Sequence, residues 1–420
     1  MGFRPFSGSA SQVGWVLWRD APGLTPSWRH GTLRIVARHV SFEPTAGSVP
    51  ATSAPRVKGS GDGVRTGFTG DVWIVPGFVD LHCHLAIDDQ GAGDIELMRR
   101  NAEAEIRAGV LAIRQPGTPV PVPRQALPHD RPIVIDAGQH IARPRRYIRG
   151  IGIEIEAANG SENTAENGAD RASLEQLLAQ EVQNQARVAQ SAHAQRGTEQ
   201  VPWVKLVGDW IDRSKGSRSD LDPLWTASQI NAAVQSAHTV GAKVCVHTFS
   251  HGAIDDLITA HVDSIEHGSG MNRAQMDAAA LVGIPVVPTT SQVLKFPEFA
   301  RAAQGKYPVY AATMAGMYER RLEWFSDLLA SGVTLLPGSD AGGYQPHGSV
   351  IQEIQRWVKW GMNPEQALAA ATWEARDFLG LQSLSQGAPA DFVVFSSNPD
   401  ADATVWSKPT QVVANGAPVL

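Results

Sequence analysis

From about Trp15 to Ile74, apolar and polar positions alternate in short runs (VLW, TLRIVARHVSFEP, DVWIV) separated by Pro, Gly and Ser clusters such as KGSGDG. A period of two broken by turn residues predicts strands in a small β domain. Beyond Pro76 the pattern changes to brief apolar runs alternating with longer amphipathic stretches, the form taken by βα units around a parallel sheet. Eight strand candidates follow in order: FVDLHCHL, VLAIRQ, PIVIDAG, PWVKLVG, KVCVHTF, DSIEHG, IPVVPTT and VTLLPGSDA. Helix candidates between them include DIELMRRNAEAEIRAG, SLEQLLAQEVQNQARVAQSAHAQRG, ASQINAAVQSAHTVG and NRAQMDAAALVG. The α/β architecture this favours is a (β/α)8 TIM-type barrel over residues 76–387. A doubly wound open sheet is the competing arrangement, but no glycine-rich phosphate loop follows the first strand candidate. Two further helices, SVIQEIQRWVKWG and NPEQALAAATWEARDFLG, lead into strand-like ADFVVFSSNP and TQVVANGAPVL. Residues 388–420 are therefore expected to join residues 1–75 in a discontinuous small β domain. The polar stretch from Ala158 to Arg171 interrupts the barrel between its third and fourth strands as a surface loop or a flap.

Composition adds exclusions. The 420 residues are 43% hydrophobic and 19% charged, an ordinary globular balance. With 36 basic against 42 acidic side chains the net charge is −6, which argues against nucleic acid or an anionic membrane as a partner. Two cysteines, Cys83 and Cys245, rule out a disulfide framework and fit a reducing compartment. The opening residues lack a secretory pattern, and no apolar run approaches the roughly 20 residues of a membrane span. A cytoplasmic protein acting on a small molecule is the expectation.

The strongest local signal is His82-Cys83-His84 near the end of the first barrel strand, where side chains two apart share a face. Both imidazoles then point inward and Cys83 faces the helices as a small buried hydrophobe. His247, His267 and Asp340 also fall late in their strands, where barrel active sites are built. Imidazole and carboxylate suit zinc and similar divalent metals. Lys205, on a buried strand, needs its own explanation. Beside two cations its ammonium would be repelled and desolvated, favouring the neutral amine. That amine can add carbon dioxide, and the resulting carbamate has two oxygens with which to bridge a metal pair.

The ordered set VPGFVDLHCHL, GVLAIRQPG, WVKLVGDW, VCVHTFSHG, SIEHG and LLPGSDAGG resembles the amidohydrolase superfamily, in its imidazolonepropionase-like and Xaa-Pro dipeptidase-like branch. The similarity runs from about Val75 to Val394. It implies a (β/α)8 barrel with a β-sandwich built from both chain ends, and two divalent ions, zinc by default with manganese or cobalt as alternatives. By the same resemblance His82, His84 and Asp340 hold one ion, His247 and His267 the other, and the carbamate of Lys205 bridges them. It further implies a hydroxide shared by the two ions as nucleophile, with Asp340 as both ligand and general acid/base, and self-association into a homo-oligomer.

Two loops depart from the pattern. An Arg-Asp pair commonly follows the second strand, where this chain has Arg114-Gln115, and HIARPRRYIRG replaces a Gly-His segment after the third. In that segment Arg143, Arg145, Arg146 and Arg149 surround Tyr147, and an arginine there could clamp a substrate carboxylate in a bidentate way. His140 and His347 are further substrate-contact candidates, with Arg143, Arg146 and Tyr147. The favoured reaction is hydrolysis of a C–N amide bond in a dipeptide or N-acyl amino acid. The competing readings are a cyclic C–N hydrolase or deaminase, an esterase or lactonase, and a non-catalytic scaffold. Deaminases of this type usually carry a glutamate just after the strand-five histidine, whereas TFSHGAIDD follows His247. A scaffold should have lost a ligand, and all six positions are filled.

Overall fold

Alternation of Trp, Val and Leu with small or polar residues makes Ala10–Trp18 and Ser27–Val36 a long antiparallel ladder. The computed structural model describes residues 10–21, 23–46, 72–88, 91–148, 150–156 and 173–420, so the stretch Ala158 to Arg171 and Arg149 lie outside the described residues. His39–Pro44 extends the ladder, and Val72–Pro76 lies parallel to Ala10–Trp18 on its other side. Phe392–Phe395 then pairs with Val72–Pro76 and carries Gln411–Ala414 and Ala417–Pro418. Strands from both chain ends thus form one continuous seven-stranded sheet. Val16, Leu33, Ile74 and Phe392 fill one of its faces.

The segments after Pro76 pair in parallel. Phe78–Asp80, Val110–Gln115 and Ile133–Asp136 make one arc, and Ile141–Ala142, Trp203–Val207, Lys243–Thr248, Ser264–His267 and Val286–Val287 lie in another, edged by Ile153–Glu154. Every residue of Val110–Gln115, Trp203–Val207 and Ser264–His267 is buried, as expected of strands covered on both faces. The eighth strand candidate is not a regular strand. Pro337 lacks an N–H, yet the segment accepts and donates on both sides: Val286 N to Thr334 O at 2.9 Å, Leu81 N to Pro337 O at 2.8 Å and Asp340 N to His82 O at 2.7 Å. The first strand also ends early, at Asp80, because its carboxylate takes the His82 and Ser339 N–H groups, both at 3.0 Å, away from strand pairing.

Helix limits follow their caps. Ser173, Thr226 and Asn272 each close a capping box at the start of Leu174–Arg196, Ala227–Thr239 and Arg273–Val282, and Gly197 and Gly283 end two of these in the left-handed region. Two features have no counterpart in the sequence reading: a hairpin, Asp209–Ile211 with Leu221–Pro223, and a run of helices from Thr290–Val293 through Phe296–Ala303, Pro308–Glu319 and Arg321–Ser331. No helix among the described residues is long and apolar enough to cross a membrane.

The sheet is tied to the parallel strands by a buried ion pair. Arg131, just before Ile133–Asp136, lies 2.7 Å from Asp391, whose carboxylate also accepts the Asn415 N–H at 2.8 Å. Removing one partner of such a pair leaves an uncompensated buried charge. Asp391→Ala should therefore lower unfolding stability by ~3–5 kcal/mol in urea titration; an unchanged midpoint contradicts this role.

Candidate metal centre

Four imidazoles and a carboxylate meet where the parallel strands end. The donor atoms of His82, His84 and Asp340 lie within 4.8 Å of one another, with Asp340 Oδ1 3.3 Å from His82 Nε2 and 3.6 Å from His84 Nε2. The His267 ring lies 4.9 Å from that of His82 and 4.6 Å from that of His247. Lys205, 1% exposed on Trp203–Val207, faces the same group closely enough for its charge to act on His82, His247 and His267.

The backbone is bent to make this arrangement. His267, Thr289 and Asp340 adopt φ of +67°, +41° and +58°, a left-handed conformation that costs non-glycine residues of order 1–3 kcal/mol each. The cost is offset by fixed contacts. His267 Nδ1 lies 2.7 Å from Thr289 Oγ1, and the following backbone N–H groups, Thr290 and Ser291, donate to the buried Glu353 carboxylate. Gly338 lets the chain before Asp340 touch its neighbours, since a Cβ there would lie 2.5 Å from Val287 Cγ1 and 2.7 Å from His82 Cβ.

Glu266 organises the centre, although sequence reasoning assigned it no role. Its Oε2 lies 2.7 Å from His82 Nδ1, and its Oε1 accepts from Arg114 Nη2 and Ser264 Oγ, both at 2.6 Å. Arg114 also donates to Leu81 O at 2.9 Å and lies 4.6 Å over the Trp203 ring. Burial pushes the Glu266 carboxyl up, but Arg114 and His82 outweigh it and hold it well below the usual carboxylate range. The departure at Gln115 also has a physical reason. Its amide donates to buried Asp136 at 3.3 Å, where an aspartate would set two carboxylates against each other. Asp209, likewise unassigned, accepts the Phe249 N–H at 3.0 Å and the Ser250 N–H at 2.8 Å, fixing the loop after His247. The signal for Glu266 and Asp209 was their position at buried strand ends, where an unpaired charge cannot rest.

These contacts leave the cluster ready to ligate. Nδ1 of His82, His84 and His267 is engaged by Glu266, Gly117 O and Thr289, which leaves each Nε2 facing the centre as a donor. Burial, reinforced by the Lys205 charge, pushes the His82 imidazole down to about 4. Burial also pushes His247 and His267 well below the ordinary histidine value, so the neutral, metal-binding form dominates. Two buried polar atoms here, Lys205 Nζ and His247 Nε2, have no hydrogen-bond partner among the described residues. Orphaned donor atoms among neutral imidazoles fit a divalent metal.

The substrate-contact candidates separate into two groups. His140 and Tyr147 line a cavity of about 370 Å³ over the centre, together with His84, His247 and Asp340. The Tyr147 hydroxyl lies 3.5 Å from His247 Nδ1. Arg143, Arg146 and His347 are held elsewhere. Arg143 donates to Ile155 O at 3.1 Å, Arg146 pairs with Asp212 at 3.3 Å, and His347 Nδ1 lies 2.9 Å from Glu105. The Arg145 side chain is exposed. The guanidinium that does line the cavity is Arg213, in the unforeseen hairpin.

A match to the amidohydrolase family spans residues 73–419. A Mycobacterium tuberculosis protein without assigned function is 35% identical over 384 residues, covering 91% of this chain and 90% of its own. Among solved structures, a Xaa-Pro dipeptidase with bound methionine is 22% identical, with a TM-score of 0.67 over 97% of this chain and 99% of its own. A prolidase in complex with N-methylphosphonate-L-proline is 19% identical, with a TM-score of 0.67 over 98% and 99%. The A. niger ochratoxinase is 19% identical, with a TM-score of 0.66 over 98% and 95%. The chain belongs to the amidohydrolase family. It is accordingly a hydrolase of carbon–nitrogen bonds, from a family that generally uses divalent metal ions.

Glu266→Gln removes the charge that orients His82 and pairs with Arg114. Metal affinity should fall roughly 10- to 100-fold, measured by competition with a chelator while circular dichroism stays native. Unchanged affinity would remove Glu266 from the account.

Proposed function

We propose that this protein is a binuclear metal-dependent amidohydrolase that cleaves the amide bond of a small carboxylate-bearing substrate, a dipeptide or N-acyl amino acid. The carrying observation is Lys205, an amine with no hydrogen-bond partner among the described residues, buried beside imidazoles and a carboxylate. Burial lowers its pKa towards the neutral form. The neutral amine adds carbon dioxide and loses a proton, giving a carbamate whose two oxygens suit two ions. His82, His84 and Asp340 would hold one ion, and His247 and His267 the other, with zinc as default and manganese or cobalt as alternatives. When bound, such ions polarise the scissile carbonyl and bring the pKa of the attacking water towards neutrality.

The chain's own groups handle protons and orientation. Although burial raises its pKa, the Asp340 carboxyl is held well below the usual range by His82 and His84, so it meets substrate ionised. It takes the proton of the attacking water and delivers it to the leaving amine. Burial, then the charge of Asp340, pushes the Tyr147 phenol far up, which keeps its O–H available to the substrate oxygen. Trp210, Phe249, Phe299, Tyr307 and Tyr310 line the cavity and favour an apolar side chain. Arg213, which lines the cavity, rather than Arg143 or Arg146, would pair with the substrate carboxylate.

The dipeptidase and prolidase descriptions of two neighbours support a peptide-like amide. We also infer that the two parallel arcs close into a (β/α)8 barrel through residues 334–341, whose backbone bonds to both arcs.

Metal-loaded, bicarbonate-treated protein should split members of a panel of Xaa-Pro dipeptides and N-acyl amino acids into acid and amine, read by mass spectrometry. Ammonia release from aminoheterocycles, or silence on every amide, overturns the reading. Lys205→Ala should lose metal and activity, with partial rescue by short-chain carboxylic acids; a fully active variant with two ions would exclude the bridging role. Arg213→Gln should raise KM on the order of 10- to 100-fold for the carboxylate substrate and leave KM for its methyl ester unchanged.

A further inference from the structure

On the opposite side of the His82-Cys83-His84 segment, a second group of donors comes together that the reaction above does not use. Cys83 faces Glu105, on the helix Ile95–Arg107, and His347, in the loop after Asp340. Cys83 and Glu105 are fully buried, and the His347 side chain is 8% exposed. Cys83 Sγ lies 3.3 Å from Glu105 Oε1 and 3.5 Å from His347 Nδ1, and His347 Nδ1 lies 2.9 Å from the same Oε1. A tetrahedral zinc ion with ordinary bond lengths sets sulfur, nitrogen and oxygen ligands about 3.3–3.6 Å apart. The triangle is already near that size.

Hydrogen bonding points the same way. Glu105 Oε1 is crowded, receiving the Gly348 N–H at 2.9 Å as well, while Oε2 of the same buried carboxylate has no partner among the described residues. Its one ion-pair partner among the described residues is His347. A divalent ion gripped by both carboxylate oxygens would satisfy Oε2 and, as the Cys83 thiol gives up its proton to solvent, would meet four donor atoms: two carboxylate oxygens, a thiolate and an imidazole nitrogen. The loop is also pressed into place for this contact. Gly348, at φ +82°, lies where a Cβ would be 2.9 Å from Ala108 Cβ and 3.1 Å from Ala104 O, so only glycine brings His347 down onto the helix.

We propose that Cys83, Glu105 and His347 form a separate structural site for a divalent metal of the zinc class. It clamps the segment bearing His82 and His84 to the first helix and to the loop beyond Asp340. A thiolate ligand gives the site a signature that the imidazole and carboxylate centre lacks. Cobalt-substituted wild-type protein should show a near-ultraviolet thiolate-to-cobalt charge-transfer band. The band should persist in Lys205→Ala and in Cys245→Ser, whose thiol lies in an apolar layer, and vanish in Cys83→Ser. Plasma mass spectrometry should find one metal equivalent fewer in Cys83→Ser and in His347→Gln than in wild type. A folded, cobalt-loaded wild type without the band overturns the proposal, as does a Cys83→Ser protein with the wild-type metal count.

Discussion

A single buried carboxylate sets the geometry on which the centre depends. Glu266 sits between the guanidinium of Arg114 and the imidazole of His82, all three essentially removed from solvent. Either charge alone would be costly there, but together they form a short, hydrogen-bonded chain. The chain joins three parts of the parallel core: Arg114 from Val110–Gln115, Glu266 from Ser264–His267, and the segment after Phe78–Asp80, through both Leu81 O and His82. His267 follows Glu266 directly, so the same anchor that turns His82 also fixes where His267 leaves its strand. The imidazoles are thereby aimed before any metal arrives, which reduces the ordering cost of binding one.

Much of this was legible in the sequence. The alternation in Ala10–Trp18 and Ser27–Val36, the brief apolar runs of the parallel strands and the amphipathic stretches SLEQLLAQEVQNQARVAQSAHAQRG, ASQINAAVQSAHTVG and NRAQMDAAALVG are local signals, and local structure follows them. His82, His84, His247, His267 and Asp340 stood out because polar side chains at the ends of apolar runs need a reason to be there. The structure brings their side chains together.

What was not legible depends on contacts between distant residues. Nothing near residue 80 in sequence shows that Asp80 will capture the Ser339 N–H and stop its strand short. Arg143 and Arg146 stood out by composition, yet the Ile155 carbonyl holds the first and the carboxylate of Asp212, in a separate hairpin, holds the second. Arg213 was invisible because the hairpin that presents it is defined by pairing between Asp209–Ile211 and Leu221–Pro223 rather than by a strong propensity. The helices from Thr290 to Ser331 supply Phe299, Tyr307 and Tyr310 to the cavity, so part of the substrate surface comes from a region with no chemical motif. Ligands are marked by residue type, whereas pocket walls are marked only by position in the fold.

Whether the preformed centre takes two divalent ions around a carboxylated Lys205 is decided by anomalous diffraction at the zinc edge. The crystals would be of zinc-loaded, bicarbonate-treated protein. Two anomalous peaks are expected among His82, His84, His247, His267 and Asp340, with density for a carbamate extending from Lys205 Nζ between them. An unmodified lysine with one peak or none at that place would contradict it.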